Sequence, residues 1–118
     1  MKAKAKSLPS GAELDALIAE RVMNWRDVRA VSQSDYAGKK QDRAGRWRKA
    51  RVPDYSTDPL LAYEVEKRMK ELNLLQQYAE ELAKIVRTRG LPVDWATPDQ
   101  RCKAALNAVK SKRRRVAR

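Results

Sequence analysis

The stretch RDVRAVSQSDYAGKKQDRAGRWRKARVP, residues 26–53, decides the fold. It carries nine Lys or Arg against three acids, a net of +6. Such a segment cannot enter a core, because unpaired buried charge costs several kcal/mol. Its apolar positions keep neither the helical nor the strand period, and Gly38 and Gly45 interrupt it. It reads as a long basic loop, with one helical turn around 26–31, set into a helical domain. Long structureless inserts of this kind are functional or disordered. For the fold class of the whole chain the alternative is α+β with a small two- or three-stranded sheet, which the pattern of this segment does not locate.

On both sides of this stretch the periodicity is helical. Upstream, Ser10 and Glu13 have capping-box spacing. Leu14, Leu17, Ile18, Val22 and Trp25 then share a face, which predicts a helix over about 11–25, with Met23 on the opposite side. Downstream, Asp58-Pro59 opens a second helix: Asp58 is extended before proline, and Pro59 fits the first helical position. Leu61, Val65, Met69 and Leu72 form its buried stripe, and Asn73 marks a break. A third helix over 74–88 places Leu75, Tyr78, Leu82, Ile85 and Val86 on one face. Lys84 and Arg87 sit near its C-terminus, and Gly90 supplies a left-handed cap. Thr97-Pro98-Asp99-Gln100 combines a cap, an N1 proline and a capping-box Gln, and Cys102, Ala105, Leu106 and Val109 follow at helical spacing. In the connector 91–96, Val93 and Trp95 could form a short edge strand, although core is the favoured reading for Trp95, as for Trp25. The fold class expected is mainly α, a small bundle of about four helices with a long basic loop and a basic C-terminal tail.

The 118 residues suffice for one domain that folds without staples. Residues 1–9 read as a basic N-terminal tail, 10–109 as the domain carrying the insert, and 110–118 as a basic C-terminal tail. Residues 1–7 carry +3, 26–53 carry +6 and 110–118 carry +6, so with a total of +12 the remainder nets −3. A near-neutral body with segregated cations is laid out to hold a polyanion or an acidic partner. The lone Cys102 excludes an internal disulfide and suits a reducing compartment. No apolar run is long enough to span a bilayer, and the Lys-Ala start lacks the apolar region of a secretory signal. The reading is therefore cytoplasmic, with no membrane partner.

Absences narrow the chemistry. The chain has no His, which removes His-based general-base, nucleophile-activating and zinc chemistry. Its four glycines are too scattered for a phosphate loop. Glu64-Val65-Glu66-Lys67 superficially suggests a metal-dependent nuclease, but the residue two before Lys67 is Val65 rather than an acid. Glu64, Lys67, Arg68 and Glu71 read instead as pairs on a wet helix face. Cys102 falls on an apolar face with no base to activate it. No catalytic, cofactor or metal-binding residue is assigned, and the chain is read as no enzyme.

The candidate binding residues form two clusters. The central one is Lys39, Lys40, Arg43, Arg46, Trp47, Arg48, Lys49 and Arg51, in which guanidinium forks can grip phosphates and an indole can stack on an unpaired base. The bland alternative has Trp47 folding back to plug the core. The terminal cluster is Lys110, Lys112, Arg113, Arg114, Arg115 and Arg118. It forms a cationic spike if the last helix continues and a flexible arm if it does not; a solubilising tail is its bland reading.

Three fragments resemble the phage ABA-sandwich domain family of small phage and prophage proteins. They are Glu13-Leu14-Asp15 with Ala19-Glu20 and Val22-Met23 through Trp25; Pro53-Asp54-Tyr55-Ser56-Thr57-Asp58; and Ala96-Thr97 with Gln100-Arg101 through Ala104-Ala105-Leu106. The resemblance covers about a third of the chain. It implies helices packed on a small sheet, a phage origin and a host-cytoplasm address. It lends no catalytic residues and departs where 74–88 reads as helix rather than strand. The function expected is a phage-encoded, non-enzymatic accessory protein binding nucleic acid or a nucleoprotein. The alternatives are a stoichiometric inhibitor of a host defence or regulatory protein, of the anti-CRISPR type, and an oligomeric assembly protein.

Overall fold

The computed structural model describes residues 11–88, 90 and 95–116. Helix α1 (Gly11–Leu17) continues into a π-helical turn, Ile18–Val22. Strands β1 (Arg26–Ala30), β2 (Tyr36–Gln41) and β3 (Trp47–Arg51) follow, then α2 (Pro59–Glu71), α3 (Leu75–Thr88) and α4 (Pro98–Val116). The described residues form an α+β fold of four α-helices and one antiparallel sheet in the order β1-β2-β3.

Residues 26–51 are thus a sheet and not a loop, and 26–31 hold a strand in place of a helical turn. The strand period is hidden for two reasons. The side of the sheet facing the helices carries Val28, Tyr36, Gly38 and Ala50, a set too small and too mixed to stand out as apolar. A bulge between Arg26 and Arg29 also shifts the alternation within β1.

The helices follow their sequence signals closely. The Asp58 side chain accepts a bond from the Leu60 amide at 2.9 Å ahead of Pro59. Asn73 has φ 60 and breaks α2 from α3, and Gly90 has φ 70, the left-handed cap. Thr97 and Gln100 exchange the two capping-box bonds, at 3.1 and 2.9 Å. Ser10 lies outside the described residues. The helical run of α1 and the π-helical turn ends at Val22, short of the expected Trp25, and Asn24 just beyond it turns left-handed with φ 64.

Leu14, Ile18, Val22, Val65, Met69, Leu82, Val86 and Cys102 make one core shared by the four helices. Trp25 joins it, as expected. Two expected core positions do not. Leu75 is 47% exposed, because Leu74 opens the buried stripe that continues through Tyr78, Leu82 and Val86 at intervals of one helical turn. Trp95 is 69% exposed and lies in no strand. It precedes the Thr97 cap, so the periodicity of α4 does not govern it. Val93 lies outside the described residues.

The sheet meets the helical body through α1, with β2 against α1 and β1 against the π-helical turn. One contact fixes this junction, and a second closes the sheet beside it. The buried Asp15 carboxylate on α1 accepts the Ser56 amide at 2.7 Å and ties down the chain leaving β3. Gly38, buried in the central strand, lets β1 lie close: an added Cβ would stand 2.9 Å from both the Arg26 carbonyl oxygen and Val28 Cγ2.

Substitutions at Gly38 and Asp15 test both contacts. Gly38→Ala forces β1 away and lowers stability by about 1–3 kcal/mol in urea denaturation. Burial raises the Asp15 carboxyl above its ordinary value, against the bonds from Ser56. A raised acid favours the folded state most below its unfolded-state value, and this contribution is lost as pH rises through the folded one. Asp15→Asn, which keeps an acceptor oxygen, should flatten stability against pH in that acidic window. Asp15→Ala should cost about 1–3 kcal/mol at neutral pH.

Candidate functional site

Directly opposed residues of an antiparallel sheet share a face. The register therefore sets three rungs on the outer face: Arg29–Ala37–Arg51, Arg26–Lys39–Lys49, and Gln41–Trp47. The inner face carries Ala30–Tyr36, Gly38–Ala50 and Lys40–Arg48. Three cations thus stand side by side in one rung, two of them on neighbours of the central strand. Like charges directly opposed across strands destabilise a sheet.

The acids of the segment relieve this only in part. Asp27 lies 3.6 Å from Lys39, Asp42 lies 2.6 Å from Arg48, and Asp35 lies 2.9 Å from Arg51, which Asp54 also approaches at 3.7 Å. With those three carboxylates taken, Arg26, Arg29, Lys40, Arg43, Arg46 and Lys49 have no ion-pair partner among the described residues. Arg48 and Arg51 are the two members of the central cluster whose charge is largely answered within the chain. Asp35 raises the Arg51 pKa further.

Trp47 does not plug the core. It sits half-buried on the outer face, with the Arg26 guanidinium 4.1 Å from its ring centroid. Lys40, on the other face, holds its ammonium 5.9 Å from the Trp25 ring.

Arg43 and Arg46 are exposed on the tight turn joining β2 to β3. Asp42 builds this turn: one oxygen accepts the amides of Ala44 and Arg46, both at 2.9 Å, and the other accepts from Arg48. Gly45, at φ 84, closes it in the left-handed conformation typical of a three-residue hairpin loop. The Arg48 bond, with those from the turn amides, holds the Asp42 carboxyl below its ordinary value.

Sequence reading missed Arg26 and Arg29, which only the pairing of β1 brings beside the central cluster. In the terminal cluster, Lys110 is exposed on α4. The helix continues to Val116, so the run takes the form of a helical extension through Lys112, Arg113, Arg114 and Arg115. Their side chains, and Arg118, lie outside the described ones.

The remaining candidates behave as ordinary structure. Lys67 pairs with Glu64 at 3.8 Å and Arg68 with Glu71 at 3.1 Å along α2. Cys102 is buried, and desolvation pushes its thiol up to about 12. Among the described residues no helix is long and apolar enough to cross a membrane.

The chain matches no family model, and no curated protein or solved structure matches it.

Asp42 organises the turn that presents Arg43 and Arg46. Asp42→Ala should speed hydrogen exchange at the Ala44 and Arg46 amides while leaving the core amides of α4 unchanged. Equal protection in both proteins would show that the turn holds without it.

Proposed function

We propose that the protein is a non-enzymatic binding module that holds nucleic acid, free or within a nucleoprotein, on the outer face of the sheet and the β2–β3 turn. The observation that carries this reading is the Arg26–Lys39–Lys49 rung. A fold that aligns three cations at neighbouring positions, with one weakly held carboxylate beside them, is relieved when an anion settles over them. Charged edge strands also prevent sheets from pairing edge to edge, which gives a bland reason for cations on β1 and β3. That reason does not reach Lys39 and Lys40, which are on the central strand. The exposed turn arginines add forks suited to phosphate, and Lys110 with the helical run beyond it adds a second basic segment.

A sheet laid against helices also suits the layout implied by the resemblance to the phage ABA-sandwich domain family. It supports reading the protein as a phage-encoded accessory factor acting in a host cytoplasm. The pairs Arg48–Asp42 and Arg51–Asp35 favour a second reading, because they are carboxylate contacts made by cations of this sheet. An acidic face of a host defence or regulatory protein could engage the free cations in the same way, making the module a stoichiometric inhibitor.

Salt titration of binding to random oligonucleotides tests the first reading. With about five free cations on the outer face and turn, log affinity should fall linearly with log salt at a slope between about −3 and −5. Absence of binding to any oligonucleotide at ~50 mM salt would leave the acidic-protein reading. Lys49→Glu supplies a diagnostic pair of effects. It should raise folding stability by about 0.2–1 kcal/mol, by placing opposite charge beside Lys39, while weakening oligonucleotide binding. A variant that loses stability and keeps affinity would contradict the proposal.

A further inference from the structure

The outer face holds a groove of about 480 Å³ lined by Asp27, Arg29, Val31, Ala37, Lys39 and Lys49, with Gly38 at its base. Its chemistry is unusual for a pure phosphate seat. Arg29, Lys39 and Lys49 give it cationic walls, Val31 is an apolar side chain left 63% exposed, and the small Ala37 leaves space above the central strand. Asp27 places a carboxylate among these groups.

That carboxylate is set there by the backbone. Asp27 lies in the β1 bulge between Arg26 and Arg29, with φ 53 in the left-handed region. A bulge re-aims a side chain that a regular strand would point elsewhere. The Asp27 side chain is 56% exposed, and its ion pair to Lys39, the one it makes among the described residues, is long at 3.6 Å. One register step toward the turn, on the same face, lies the Arg26–Trp47 stack.

Resting on the nucleic-acid reading above, we infer that this groove seats one unpaired base of a single strand, with the Asp27 carboxylate accepting a hydrogen bond from an exocyclic amine. The walls then take the flanking phosphates, and Lys39, freed from its long contact with Asp27, turns to one of them. The Arg26–Trp47 stack offers a planar surface to the next base, as aromatic and guanidinium groups do in single-strand binders. The base must be unstacked, because a base held in a duplex stack cannot swing out to enter the groove. Cytosine presents an N4 amine that donates to a carboxylate, whereas thymine presents the O4 acceptor, which the carboxylate repels.

The test compares the full-length protein with oligo(dC), oligo(dT) and a mixed-sequence duplex of equal length, at mildly alkaline pH and fixed salt. Wild type should bind oligo(dC) about tenfold more tightly than oligo(dT). Asp27→Asn should bring the ratio near one. Removing a negative charge raises affinity for every polyanion alike, so the ratio, and not the affinity, reads the base contact. Trp47→Leu should weaken both single strands and leave the duplex unchanged. Circular dichroism of both variants checks that the sheet survives, and Asn tolerates the left-handed backbone at position 27 as Asp does; Asp27→Gly, which also adopts it and removes the carboxylate, should likewise bring the ratio near one. Equal binding of oligo(dC), oligo(dT) and duplex by wild type overturns the base seat and leaves the binding module standing. A ratio that persists in Asp27→Asn overturns the role of Asp27. No binding to any of the three overturns both proposals.

Discussion

The rung Arg26–Lys39–Lys49 is the constraint on which the sheet and the use proposed for it both depend. Opposed residues in an antiparallel pair have Cβ atoms about 5 Å apart, so the three side chains carrying these cations are rooted side by side, where like charges disfavour the pairing. The chain does not dissolve the conflict with its own acids. Asp27 approaches Lys39 at a distance, while Asp35 and Asp42 serve Arg51 and Arg48. The backbone ladder, the close approach at Gly38 and the Asp42 turn hold the strands together against this repulsion.

The helical body makes that tension tolerable. The core of α1, α2, α3 and α4 is built from Leu14, Ile18, Val65, Met69, Leu82 and Cys102, none of which comes from the strands. The sheet adds Val28, Tyr36 and Ala50 to the periphery and is anchored at α1, with Asp15 pinning the segment that follows β3. Charge can therefore accumulate on the outer face without entering the part of the molecule that carries most of its burial. The same arrangement leaves the β2–β3 turn and the rungs near it open to solvent.

The helices were legible because each boundary rests on local chemistry: Asp58-Pro59, Thr97 with Gln100, and the left-handed Gly90 act within a few residues of the break they make. The sheet was not. Its inward residues are small, its β1 alternation slips at the bulge, and its outward residues are cations that look alike in any conformation. One local signal was present and passed over: Asp42-Arg43-Ala44-Gly45 has the acid and the left-handed glycine of a hairpin turn. The central cluster from Lys39 to Arg51 was visible as a charge run. Its division into two faces, the addition of Arg26 and Arg29, and the aim of Asp27 depend on pairing between strands, which composition does not record. Trp95 shows the converse limit, since a bulky aromatic beside a helix start was expected inside and stands in solvent.

The most direct test of the outer face as a binding surface is amide chemical-shift mapping of the intact protein during titration with a short single-stranded oligonucleotide. Shifts concentrated on residues 26–31 and 37–51, with the amides of α2 and α3 unmoved, are the result expected. Shifts confined to the helices, or a sheet whose amides stay fixed at saturation, would contradict it.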